Sequence, residues 1–180
     1  MFCGLYRFAI GIGTVYLNLY ILRYLNVNYL YYSILNIIIS LSEALFGLYW
    51  VKKIAHRDWK NILIPMSILY IISFISLIIL KDNILIYILP IIYLMIGCGN
   101  SAYDLFDNIA IYEKSLRGYE TSYVTFERFI EGIVTAIIPI LTSTLLVNNG
   151  NSSIKLTFII SLISFIIILI FILSKWFNYD

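Results

Sequence analysis

The chain of 180 residues is 62% hydrophobic and only 12% charged, with a mean hydropathy of +0.94 and a formal net charge of +2. A soluble domain carries about 25% charged residues and cannot hide this much apolar surface in a core of this size, so the solvent of this chain is lipid. Three Pro and nine Gly exclude collagen-like and disordered classes, the small net charge excludes a nucleic-acid partner, and two isolated cysteines, Cys3 and Cys98, offer neither a disulfide framework nor a zinc site.

A helix needs about 20 mainly apolar residues to cross a hydrocarbon core roughly 30 Å thick. Segments 6–25, 29–50, 61–80, 84–112, 122–147 and 154–174 qualify, and the connections between them leave no room for a soluble domain. The expected fold is therefore all-α: a polytopic membrane protein with one transmembrane domain of six helices covering residues 1–180.

The first span has no small-residue cleavage pattern and only Arg7 as a basic flank, which marks a retained helix rather than a signal peptide. Arg7, Gly11, Thr14 and Asn18 recur along it at helical spacing and share a face. In the second span Ser33, Asn36, Ser40, Glu43 and Gly47 form a similar stripe. The third span offers Ser and one Tyr but no charge and no Gly, and Pro65 suits its first turn. A lipid-facing wall packed by small hydroxyls is the expectation.

The fourth span is long enough to tilt, and it aligns Tyr93, Gly97, Asn100, Asp104 and Asp107 with Asn108 beside them. In the fifth, Glu127, Glu131 and Thr135 fall on one face, and Arg128 lies one residue round. Helix breakers concentrate in these same two spans, Pro90, Gly97 and Gly99 in the fourth and Gly132 and Pro139 in the fifth, and give both a capacity to bend. The sixth span is as bland as the third.

Polar groups in hydrocarbon are costly unless they face protein or a wet cavity, so the first, second, fourth and fifth helices are expected to share a polar interior. Thr14, Asn18, Asn36, Ser40, Asn100, Asn108 and Thr135 are candidates to line it. Glu43, Asp104, Asp107, Glu127, Arg128 and Glu131 are expected at similar heights. So many carboxylates around one Arg cannot all stay ionised in a low dielectric. An ion-pair latch between helix ends and a proton-coupling site are the two readings of that cluster.

Lys and Arg accumulate on the cytoplasmic side. Arg7, Lys52, Lys53, Arg57, Lys60, Lys114, Arg117 and Lys175 fall on one side, against Arg23, Lys81 and Lys155 on the other, which places both termini in the cytoplasm. Trp50, Trp59 and Trp176 fall at the cytoplasmic boundary, where an amphipathic ring suits the headgroups. An Asn-x-Ser sequon at Asn151 lies on the far side. No catalytic constellation is present: the single histidine, His56, sits in the basic loop, and His-Glu-x-x-His, Gly-x-Ser-x-Gly and phosphate-loop patterns are absent. The expectation is a protein that is no enzyme and has no cofactor and no metal site.

Six short-looped helices with the basic loop after the second resemble one half of a major facilitator superfamily transporter. Gly47-Leu48-Tyr49-Trp50-Val51-Lys52-Lys53 with His56-Arg57 stands where that family carries Gly-x-x-x-Asp-Arg/Lys, although Val51 replaces the Asp and Ile54 a Gly. Gly132 and Pro139 are similar to its Gly-Pro helix, and the run from Gly97 to Asn108 leading to Pro139 resembles the tenth and eleventh helices of a full-length member, hence the carboxy-terminal half. The resemblance implies a central pathway bordered by the first, second, fourth and fifth helices, with the third and sixth against lipid. It also implies half a machine: a permease for a small solute in the cell membrane, completed by self-association or by a second six-helix chain, with the carboxylates as gate or proton-coupling site. The rival expectation is a non-transporting membrane protein, such as an assembly partner, a regulator or the remnant of a split transporter.

Overall fold

A computed structural model describes residues 2–54, 60–115, 118–149 and 151–177. Of the positions used above, His56, Arg57, Trp59 and Arg117 lie outside the described residues, as do the side chains of Cys3, Lys60, Lys114, Asn151, Lys175 and Trp176. Six helices and no strand are found among the described residues: α1 (Phe2–Arg23), α2 (Tyr29–Ile54), α3 (Lys60–Ile79), α4 (Asp82–Lys114), α5 (Glu120–Asn149) and α6 (Asn151–Phe177). Each matches an expected span within a few residues, mostly by extending it, because polar residues at a helix end can still complete backbone hydrogen bonds there. The α1–α2 link is closed by Asn26 with a φ of 45°, and the α4–α5 link contains Gly118 with a φ of 89°, a conformation that costs glycine nothing.

Among the described residues, four helices are long and apolar enough to cross a membrane: α2, α3, α4 and α6. That marks a membrane-embedded protein. The expectation was six such helices; α1 and α5 are not among the four found within the described residues. Pro90 and Pro139 stand inside helices of 33 and 30 residues that run through them without a break.

The helices pack as an arc in the order α2, α4, α3, α6, α1, α5, so α2 and α5 are its two edges. Contacts fix the directions. Tyr6 near the start of α1 meets Ser67 in the first half of α3, and Tyr20 near the end of α1 bonds Asp82 at the start of α4 at 2.8 Å. Successive helices thus alternate in direction.

The arc has an internal two-fold pattern. Exchanging α1 with α4, α2 with α5 and α3 with α6 converts every well-packed helix pair into another: α2 on α4 becomes α5 on α1, α3 on α4 becomes α6 on α1, and α3 on α6 maps onto itself. Three helices are an odd number, so the second unit runs inverted relative to the first. Burial follows the same exchange. Met66, Ser67, Tyr70, Phe74 and Leu77 on α3 are buried, and so are Thr157, Phe158, Ser161, Phe165 and Ile168 on α6, the same positions in the same order. Ile68, Ile72, Ile75 and Ile79 are exposed, as are Ile159, Ile163, Ile166 and Ile170. Each of these helices thus has an isoleucine face suited to acyl chains and an aromatic face that forms the centre of the arc, with Tyr70 and Phe165 stacked at 4.6 Å. This corrects the expectation of a mere outer wall: the inner faces of α3 and α6 are the core on which α1 and α4 rest.

Glycine sets how closely α1 and α4 approach their neighbours. Both carry Ile-Gly-x-Gly, Ile10 to Gly13 and Ile96 to Gly99. A Cβ on Gly97 would lie 2.7 Å from the Ile39 carbonyl oxygen of α2, and one on Gly11 would lie 2.6 Å from Ile138 of α5. The second glycine of each pair faces the aromatic core, Gly13 against Phe74 and Gly99 against Tyr70.

Candidate functional site

A cavity of about 240 Å³ opens between α1, α2 and α4 on the concave side of the arc. Its α1 wall is Arg7, Ile10, Thr14, Leu17 and Asn18, and its α4 wall is Tyr93, Ile96, Asn100, Tyr103 and Asp104. Taken in order, these are five pairs of equivalent positions of the inverted units, at one constant separation along the chain. Asn36, Ile39 and Glu43 of α2 complete the lining.

The exchange also relates the two ends of the cavity. Near one end the Arg7 guanidinium approaches Asp104 at 3.9 Å, and near the other the Tyr93 hydroxyl donates to Asn18 Oδ1 at 3.3 Å. Arg7 is the counterpart of Tyr93 and Asp104 that of Asn18. One pair of positions thus closes both ends, once with charge and once without.

The charged end is a network across three helices. Arg7 Nε donates to Glu131 on α5, and its guanidinium lies 4.7 Å above the Tyr103 ring. Arg128 Nη1 donates to the other Glu131 oxygen at 2.7 Å and stands 3.8 Å from Asp107. Glu131 is therefore clamped between two guanidiniums. Asp107 is 1% exposed, and among the described residues neither of its oxygens finds a hydrogen-bond donor. Buried carboxylates are normally hydrogen-bonded, so this one is an exception with a cost. Glu127 lies one turn before Glu131 and is half-buried.

Deeper in the cavity a second chain of bonds runs from the core to the wall. The Tyr70 hydroxyl of α3, wholly buried, donates to Asn100 Oδ1 at 2.5 Å, and Asn100 Nδ2 donates to Glu43 Oε1 at 2.7 Å. This corrects the expectation that all the acidic groups share one height. Glu43 meets Asn100, which is four residues and about 6 Å of helix rise away from Asp104.

Of the residues expected to line the interior, Thr14, Asn18, Asn36 and Asn100 do so. Thr135 instead lines a shallow groove on α5 with Arg7, Arg128, Glu131 and Gly132. Ser40 and Asn108 are exposed outside the cavity, and Asn108 spends its amide on the Asp104 carbonyl one turn back. Gly97 and Gly99 are packing positions, whereas a Cβ at Gly47 or Gly132 would meet nothing within 4 Å. Trp50 is no headgroup anchor. It is 3% exposed, and its indole N–H donates to the Cys98 carbonyl at 3.1 Å, inside the α2–α4 seam.

The residues missed were Arg7 as a member of the ionic network, and the tyrosines Tyr70 and Tyr103, whose hydroxyl and ring face organise the polar groups; Tyr93 was placed on the polar stripe of the fourth span but given no role. The repeated Ile-Gly-x-Gly and the repeated Ile-Ser-Phe-Ile at 72–75 and 163–166 were the available signals. Compared with known protein families, curated proteins and solved structures, the chain matches none.

Proposed function

We propose that this chain is half of an alternating-access permease: six membrane-crossing helices, both termini cytoplasmic, completed by a second copy or another six-helix chain facing the concave side of the arc. The observation that carries this reading is the cavity walled by equivalent positions of two inverted three-helix units. An inverted pair can exchange conformations, so that whatever opens one end of the seam has a counterpart that opens the other. The resemblance to a major facilitator half supports the same assignment, as does the exposure of α2 and α5, edges that carry Ser33, Asn36, Ser40, Arg128 and Thr135 and gain from being covered by protein.

In this reading α1 and α5 also cross the membrane, with their polar stripes facing the pathway. The ionic network is the cytoplasmic gate, with Asp107 buried beside Arg128. The test is two-sided accessibility. In a background with Cys3 and Cys98 replaced by Ala, Thr14→Cys and Asn36→Cys should react with a membrane-impermeant maleimide from either face of oriented vesicles. Labelling from one face only, under all conditions, would rule out alternating access and favour a non-transporting membrane protein.

A further inference from the structure

We infer that the cavity selects a small cationic solute, an organic ammonium, with Glu43 as its counter-charge; this rests on the permease reading and deepens it. Three observations converge. First, among the described residues the cavity and its charged end hold two guanidiniums, Arg7 and Arg128, against four carboxylates, Glu43, Asp104, Asp107 and Glu131. Carboxylates outnumber guanidiniums by two, so even with one of them protonated the excess is negative, and in a low dielectric it calls for positive charge from elsewhere.

Second, several hydrogen-bond donors around the cavity are directed to protein acceptors. Thr14 donates to the Ile10 carbonyl at 2.9 Å, Asn36 to the Tyr32 carbonyl at 3.0 Å and Tyr93 to Asn18. Asn100 has its amide oriented by Tyr70 so that the N–H points at Glu43. The Thr14 and Tyr93 hydroxyls have thereby spent their single hydrogens and keep oxygen lone pairs, which suit a ligand that brings N–H donors. Third, Glu43 belongs to none of the ion pairs of the described residues, while the one cation of the cavity wall, Arg7, is bonded to Glu131. An anionic solute would meet Glu43 and Asp104 before any free positive group. The part of the cavity within one chain, about 240 Å³, has room for a small amine.

The experiment uses three probes of one shape, 4-fluorobenzylamine, 4-fluorobenzyl alcohol and 4-fluorobenzoate. Each is titrated into the purified full chain in detergent and read by fluorine NMR against empty micelles. The amine should bind at least about tenfold more tightly than the alcohol, and the benzoate most weakly. Glu43→Gln should remove that preference and leave the alcohol unchanged, and Tyr70→Phe should weaken the amine several-fold by releasing Asn100. Equal binding of amine and alcohol to the wild-type chain overturns the inference without any variant, and so does an absence of amine binding or an unchanged preference in a folded Glu43→Gln. Two-sided maleimide labelling without charge preference would keep the permease and discard the cationic solute. Charge preference without two-sided labelling would do the reverse.

Discussion

Replacing Gly97 by alanine isolates the closest backbone approach in the arc. The new methyl would sit 2.7 Å from the Ile39 carbonyl oxygen and 2.8 Å from Ser42 Cβ. Ordinary contact begins near 3.4 Å, so α2 must retreat by roughly 0.7 Å, because the obstacle is backbone and no rotamer change relieves it. The α2–α4 seam is held by Ser42 to the Leu94 carbonyl at 2.7 Å, Trp50 to the Cys98 carbonyl at 3.1 Å and Tyr31 to the Ile86 carbonyl at 2.5 Å, besides Asn100 to Glu43. Each such bond contributes about 0.5–1.5 kcal/mol net. Overpacking costs about 1–3 kcal/mol, and weakening one or two seam bonds adds to it, while the helix preference of Ala over Gly returns about 1 kcal/mol. The expected net loss is about 1–3 kcal/mol. Gly132→Ala, where a Cβ meets nothing, is the matched control and should be neutral or slightly stabilising. Unfolding in graded SDS followed by far-UV circular dichroism compares the two. Equal midpoints for Gly97→Ala and Gly132→Ala would refute the assigned packing of α2 on α4.

Gly13→Ala, whose Cβ would fall 2.1 Å from the buried Phe74 ring, should destabilise about as much as Gly97→Ala. Gly11→Ala should cost less, since only the flexible end of Ile138 is in the way. A double-mutant cycle of Arg7→Gln and Glu131→Gln should give a coupling of about 1.5–3 kcal/mol in the same unfolding assay, the range of a charge-assisted hydrogen bond; a coupling near zero would remove the gate from the account. Asp107→Asn should be tolerated or stabilising in that assay because it takes away a buried charge without a donor. Trp50→Phe should lose about 1 kcal/mol with its bond to Cys98. The Trp50 emission should be insensitive to headgroup-level quenchers, contrary to what an interfacial tryptophan shows.

How legible the fold was depended on what kind of signal each feature leaves. Helix positions came directly from apolar run length, which is why the boundaries differ by only a few residues. The shared polar faces of α1, α2 and α4 followed from spacings of three and four, and Thr14, Asn18, Asn36 and Asn100 do meet around one cavity. Periodicity places a residue on a face but does not set the height of one helix against another, so Glu43 was put level with Asp104 instead of one turn away. Nor does it show how far a long side chain reaches. Arg7 was placed correctly on its stripe, yet its link to Glu131 crosses from α1 to α5, helices separated by most of the chain. Tyr70 was unreadable for another reason: an isolated tyrosine in an apolar span looks like packing until its hydroxyl is seen to orient Asn100.

The inverted repeat makes the inequality of the two ends consequential. Were the chain perfectly repeated, position 7 and position 93 would carry the same residue, and the two ends of the seam would open at equal cost. Instead one end holds Arg7, Glu131 and Arg128 in charge-assisted contacts across α1 and α5, and the other has the Tyr93 to Asn18 bond at 3.3 Å, besides Tyr20 to Asp82 at 2.8 Å. Charge-assisted bonds are roughly twice as strong as neutral ones, so in the permease reading the basic end is the harder to open and the resting state faces away from it. Arg7→Gln should shift that balance. Thr14→Cys combined with Arg7→Gln should label faster from the cytoplasmic face than Thr14→Cys alone, and slower from the other. If the second substitution alters neither rate, the two ends are not exchanging populations, and the ionic network holds helices together without gating anything.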